Sequence, residues 1–148
     1  MSSAPSAPFH LDESSPFGAR AARHLREDVV VWLTTVTPSD APAPNPVWFL
    51  WDGADQVLVY SRAGTPRGRN LEVNPAVSLN FAGNGAGGDI VVLSGRAEIA
   101  DELGPADGDP VYVARYAAGF ERLGTTPAQF AAGYPVPIRI RLTGLRGH

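Results

Sequence analysis

Residues 29–36 read Val-Val-Val-Trp-Leu-Thr-Thr-Val, eight positions with no charge and six β-branched side chains. Such a run loses side-chain freedom in a helix and packs well on a pleated surface, so it predicts a largely buried strand. It commits the neighbouring chain to a sheet. Further strand-like runs at 47–51, 57–61, 76–81 and 89–99 are each bounded by turn residues and extend the same pattern. At 137–145, Ile138, Ile140 and Leu142 alternate with Arg139, Arg141 and Thr143, the signature of a strand with one buried face. Asp52-Gly53-Ala54-Asp55 predicts a hairpin turn. Gly95 inside its strand predicts a bulge or a close backbone approach. Between the first two strands, Pro38, Pro42, Pro44 and Pro46 remove donors and fix φ, so the stretch 38–46 is expected to be a turn.

Helices are expected at four places. Ala22, Leu25 and Val29 fall at helical spacing over 18–28. Thr65-Pro66 supplies an N-cap and a first-position proline for a helix that runs to about Val73 and stops at Asn74-Pro75. Residues 109–119 and 127–132 are the others. Hairpin-linked strands with inserted helices predict a mainly β chain: an antiparallel barrel with helices packed outside it. With 148 residues and no internal repeat, one domain over 17–148 is expected, preceded by a disordered tail over 1–16.

Several functions are disfavoured by composition. A net charge of −3 argues against general affinity for nucleic acid, yet leaves room for arginines that hold one phosphate. Cysteine is absent, which removes disulfides, thiolate metal sites and a cysteine nucleophile, and fits a cytoplasmic setting. The first residues lack the features of a signal peptide, and no apolar run approaches the ~20 residues of a membrane helix. His10, His24 and His148 have no metal-ligand spacing, so no metal site is expected. The residues Gly83-Asn84-Gly85-Ala86-Gly87-Gly88 fit G-x-G-x-x-G. A strand follows them rather than a helix, so they predict a hairpin loop and not a dinucleotide site. Asp107-Gly108-Asp109 predicts a turn and a helix N-cap rather than a calcium loop. Trp32, Trp48 and Trp51 are expected in the core or an interface, and Arg139 and Arg141 on a solvent face.

One segment stands apart. Thr65-Pro66-Arg67-Gly68-Arg69-Asn70-Leu71 places two arginines in the first helical turn, where cations oppose the helix dipole. A bound anion would reverse that penalty, because free N–H groups and guanidinium groups together suit a phosphate. Gly68 costs about 1 kcal/mol against alanine in a helix, which points to close packing or ligand approach. On the residues alone, the segment is either a solvated basic turn or a phosphate site.

In sequence this region resembles the flavin-type split-barrel superfamily, the pyridoxamine 5′-phosphate oxidase-like proteins. The resemblance lies in Val57-Leu58-Val59-Tyr60-Ser61-Arg62, the Thr65-to-Leu71 segment, and Asn74-Pro75-Ala76-Val77-Ser78-Leu79-Asn80-Phe81. Val31-Trp32-Leu33-Thr34-Thr35-Val36, Pro46-Val47-Trp48-Phe49-Leu50-Trp51-Asp52-Gly53, Gly88-Asp89-Ile90-Val91-Val92-Leu93 and Val136-Pro137-Ile138-Arg139-Ile140 resemble the actinobacterial branch thought to use the deazaflavin coenzyme F420. The resemblance implies a six-stranded antiparallel split barrel that forms a homodimer with cofactor sites at its interface. It implies coenzyme F420 as cofactor, with FMN the alternative. It implies cofactor binding by Val47, Trp48 and Phe49 beside the ring, and by Ser61, Arg62, Thr65, Pro66, Arg67, Arg69 and Asn70 at the phosphate. Asn80 would approach from the next strand. Arg67 stands where the family often has lysine. The implied reaction is hydride transfer between the deazaflavin and a small organic substrate; a carrier without turnover is the non-enzymatic alternative. No catalytic residue is assigned, although Tyr60, Tyr112 and Tyr116 are candidate proton donors.

Overall fold

The computed structural model describes residues 9–148. Helix α1 (Pro16–Glu27) starts where Ser15 accepts a hydrogen bond from the Gly18 N–H, with Pro16 in the first turn. Strands β1 (Val30–Val36), β2 (Pro42–Trp48), β3 (Leu50–Trp51) and β4 (Gln56–Ser61) follow, then helix α2 (Pro66–Val73). Strands β5 (Ala76–Asn80) and β6 (Val91–Ile99) come next. Two 3₁₀ turns lead to the short helices α3 (Pro110–Arg115), α4 (Ala117–Leu123) and α5 (Pro127–Gly133), and β7 (Val136–Gly147) ends the chain.

All the strand pairings are antiparallel, in the order β2-β1-β5-β6-β7-β4-β3. β2 and β3 stand at opposite ends of that order, yet only Phe49 separates them in sequence. The sheet must therefore curl back on itself. This also explains why the described residues form seven strands where the sequence predicts six runs. The expected strand at 47–51 is broken at Phe49, and its two parts pair with different neighbours, β1 and β4.

The proline-rich stretch corrects a sequence expectation. Pro42, Pro44 and Pro46 lie within β2, opposite Val36, Thr34 and Trp32. Spaced by two, the three prolines turn their missing donors to the same edge. Among the described residues β2 has β1 as its single neighbour in the sheet, so that edge needs no donors. Proline spacing, rather than proline content, decides whether the stretch can pair.

Gly95 marks the expected bulge, a register shift between Ser94 and Gly95 opposite β7. The Gly83–Gly88 stretch forms the expected loop, with the Asn84 side chain accepting from the Ala86 and Gly88 N–H groups. Asp109 caps α3 as expected, accepting from the Val111 and Tyr112 N–H groups. The helix expected over 109–119 is interrupted at Tyr116 (φ −105°, ψ 13°).

The barrel interior is filled by Val31, Leu33, Leu79, Leu93, Ile138 and Ile140, with Ala21, Ala22 and Leu25 of α1 packed against them. A second cluster lies between β4 and α3–α5 and contains Tyr60, Tyr112, Tyr116, Phe120 and Phe130. Of the expected disordered tail, residues 1–8 lie outside the described residues. Leu11 is buried against the core, and Ser15 caps α1, so order begins before Pro16.

Ionic contacts fasten α1 to the loop before β6. The His24 ring lies 2.7 Å from Asp28 and 3.0 Å from Asp89, and Arg20 reaches Asp89 at 2.7 Å. Burial opposes protonation of His24, but its bonds to Asp89 and Asp28 outweigh it and raise its pKa above the ordinary 6.5. The same contacts with His24 and Arg20 lower Asp89 below 3.8. A raised histidine pKa adds stability that is complete below the unfolded value and lost as pH rises through the folded one. A lowered aspartate pKa adds stability that is lost as pH falls through the folded value. The clamp is thus expected to be strongest between about pH 4 and 6.5. In thermal melts, the deficit of His24→Gln against wild type should shrink as pH rises above 6.5 and through the folded pKa of His24. A difference that does not vary with pH would contradict the charged clamp.

Candidate functional site

A groove of about 730 Å³ runs between β2, the β4–α2 corner and α5. Its apolar wall is aromatic. The Trp48 indole stacks on Tyr116 (centroids 4.5 Å, planes 8° apart) and lies 5.4 Å from Phe130. Phe130 in turn stacks on Tyr134 at 4.6 Å. Gly119 makes room for this arrangement, because a Cβ there would come within 2.8 Å of the Trp48 ring.

The other end of the groove is cationic. Arg67, in the first turn of α2, is partly buried and donates from Nη1 to Ser61 Oγ at 2.9 Å. Burial lowers its pKa, which makes its charge costly without an anion. Arg62 places its guanidinium 5.0 Å from the Tyr134 ring centre and donates to the Tyr134 hydroxyl at 3.3 Å. Among the described residues, neither arginine has a carboxylate within ion-pair distance. Thr65 occupies the N-cap position of α2, but its side chain makes no capping bond to the helix. Its hydroxyl donates to the Arg62 carbonyl at 3.3 Å instead.

Five of the sequence candidates converge on the groove: Val47, Trp48, Arg62, Thr65 and Arg67. The other six do not line it. Phe49 faces the barrel interior, edge-on to Phe81. Ser61 is buried beneath Arg67 and orients it. Pro66 and Arg69 are exposed on α2. Asn70 is buried and donates to Thr35 Oγ1 at 3.0 Å, tying α2 to β1. Asn80 donates to the Phe81 carbonyl from β5.

The three candidate tyrosines separate as well. Tyr112 and Tyr116 lie in the aromatic cluster, and burial raises both their pKa values. Tyr60 borders the groove; burial first, then Asp109 and Asp107, push it up to about 12. Its hydroxyl is buried and unpartnered among the described residues, so it is not presented to the groove as an acid.

Sequence reasoning missed the α5 wall. Phe130, Tyr134, Gln129 and the nearby Arg122 line the groove from helices that the sequence places only on the outside. Thr126 and Gln129 form a capping box legible in the sequence, which fixes where α5 begins but not what it faces.

Fold and site together define a split β-barrel with helices along one side and a groove that is aromatic at one wall and cationic at one end. The chain belongs to the pyridoxamine 5′-phosphate oxidase family, whose model matches residues 18–132. Its fold is similar to that of a protein described as an F420 reductase, at 23% identity and a TM-score of 0.61, covering 82% of this chain and 92% of that one. It is also similar to a candidate pyridoxamine 5′-phosphate oxidase from Listeria innocua (20% identity, TM-score 0.62, 86% and 94% covered). The heme storage protein HutZ from Vibrio cholerae is a further similar structure (17% identity, TM-score 0.58, 94% and 95% covered). No curated protein matches the chain. Among the described residues, no helix is long and apolar enough to cross a membrane.

Proposed function

We propose that this protein is a cytoplasmic oxidoreductase that binds coenzyme F420 in the groove and works as a homodimer. The observation that carries the reading is the pairing of an aromatic wall with a partly buried arginine that has no carboxylate partner among the described residues. A planar ring suits Trp48, Phe130 and Tyr134, and a phosphate suits Arg67, Arg62 and Thr65. Two features of α2 fit the same ligand. Thr65 leaves the first-turn N–H groups without a side-chain cap. A Cβ on Gly68 would meet no described atom within 4 Å, so protein packing does not account for the glycine, and the open first turn leaves room for a ligand to approach.

When bound, the deazaflavin supplies a hydride to an electron-poor C=C or C=N bond of a small substrate. The chain's residues would hold the phosphate at Arg67 and orient the ring against Trp48, and the proton that completes the reduction would come from solvent water. A heme-binding role has less support, because Tyr60 keeps its hydroxyl buried and the Tyr134 hydroxyl is bonded to Arg62. The groove is lined by no histidine, cysteine or methionine among the described residues.

Val29 and Trp32 are exposed beside Val30, which borders the groove, and pairing of two chains over this strip would cover it. Light scattering that reads 15.6 kDa, the mass of one chain, at micromolar protein would contradict the dimer.

The test of the cofactor is a paired fluorescence titration with oxidised F420 and with FMN. Tighter F420 binding, with oxidation of reduced F420 by an electron-poor acceptor, is expected. Tighter FMN binding would move the protein to the FMN-dependent side of the family. Binding without turnover across a panel of acceptors would make it a carrier, and binding of neither ring would end the reading.

A further inference from the structure

The hydroxyl of Tyr116 sits where the strand that borders the groove is broken. It accepts from the Phe49 N–H at 2.8 Å. It shares its one proton between the carbonyls of Phe49 (2.8 Å) and Val29 (2.9 Å). Phe49 is the residue that falls between β2 and β3, so both of its backbone polar groups are without a strand partner unless a side chain supplies one. Tyr116 supplies it. The residue before Phe49 is Trp48, and the Tyr116 ring stacks on that indole with the two planes 8° apart. One side chain therefore holds both the backbone of the break and the ring plane beside it.

Tyr116 is itself held. It lies at the junction of α3 and α4, beside Arg115. Arg115 donates to the last carbonyls of α1, reaching Arg26 and, at 2.6 Å, Asp28. Its guanidinium also lies 4.9 Å from the Phe49 ring centre. Gly119 of α4 lies against the same indole, so close that a Cβ there would come within 2.8 Å of the ring.

We propose that Tyr116 is a positioning residue for the ring subsite: by clamping the break at Phe49 and stacking on Trp48, it presets the indole face against which a bound planar ring lies. The inference rests on the reading of the groove as a ring-binding site. It adds a residue that touches no ligand. A wall that is rigid before binding spares the ligand the cost of ordering it, so loosening the wall weakens the ring contacts and leaves the phosphate contacts alone.

The experiment uses Tyr116→Phe, which keeps the ring and removes the hydroxyl, in the full chain with Trp32 and Trp51 replaced by phenylalanine so that Trp48 alone emits. Three quantities are read: Trp48 emission without ligand, affinity for FMN and F420, and affinity for riboflavin, which has the ring without the phosphate. The expected result is a red-shifted, broadened Trp48 emission with cooperative melting retained. FMN and riboflavin affinities should fall by the same factor, about tenfold, so that their ratio is unchanged. Unchanged emission, or wild-type affinity for both flavins, would overturn the proposal. So would loss of FMN binding with riboflavin binding intact, because that would place the effect at the phosphate.

If Tyr116→Phe does not fold, Gly119→Ala in the same single-tryptophan chain displaces the indole and leaves the hydroxyl in place. Equal loss of both flavins supports a preset wall, and unchanged affinities overturn it. If the wild-type chain binds no ring at all, the reading of the groove fails, and the emission of Trp48 still decides whether Tyr116 holds the wall.

Discussion

Arg67→Ala is expected to weaken binding of FMN or F420 about a hundredfold and to leave riboflavin binding unchanged, in a chain that melts at or near the wild-type temperature. Arg67 is partly buried with Ser61 as its hydrogen-bond partner, and no carboxylate among the described residues compensates its charge. Removing it therefore takes nothing from the fold but one bond to a neutral hydroxyl. It takes from a phosphate a pair of charge-assisted bonds, and at the low end of about 1.5–3 kcal/mol each the pair corresponds to about a hundredfold in affinity. Arg67→Lys should recover part of the loss, since a lysine restores the charge but not the planar fork. Titration of each variant with the two flavins checks this. Equal losses for FMN and riboflavin would mean that Arg67 supports the groove rather than the phosphate.

Gly95→Ala is expected to cost about 3 kcal/mol of stability, or roughly 10 °C in melting temperature. The added Cβ would lie 2.8 Å from the Arg141 carbonyl oxygen and 2.9 Å from the Ile140 side chain. The first of these is backbone in the partner strand β7, and Ile140 is fully buried, so neither can give way without opening the bulge. Gly68→Ala is the control. It has open space around it, so it should hold or slightly raise the melting temperature of the free protein. Urea or thermal unfolding of the two variants tests the contrast. A Gly95 variant as stable as wild type would show that the β6–β7 pairing relaxes freely at this point.

How much of this was legible in the sequence follows from how local each cause is. The β1 run and the alternation of Ile138, Ile140 and Leu142 needed only neighbours one or two residues away, and both strands appear. The bulge at Gly95 was legible because glycine in a strand has few other reasons. β2 was misread because the tolerance of its prolines depends on its place at the sheet's edge, which no local pattern states. The break at Phe49 was hidden for a similar reason: the group that satisfies it, Tyr116, lies 67 residues further on.

The site divides along the same line. The cationic end is one short stretch, Arg62 to Arg67, so its residues were identifiable together. Within that stretch the direction of each side chain was not, and Ser61 and Asn70 prove to hold Arg67 and α2 from below. The wall from Phe130 to Tyr134 meets Trp48 only through tertiary packing, and the helical pattern of α5 does not say which surface it covers.

The most direct measurement is the affinity of the wild-type protein for FMN and riboflavin, each at low and high salt. A groove that holds a ring against Trp48 and a phosphate at Arg67 should bind FMN at least tenfold more tightly than riboflavin at low salt. High salt should narrow that gap and leave riboflavin affinity unchanged. Equal affinities at both salt concentrations would contradict a phosphate at Arg67, and with it the function proposed for the groove.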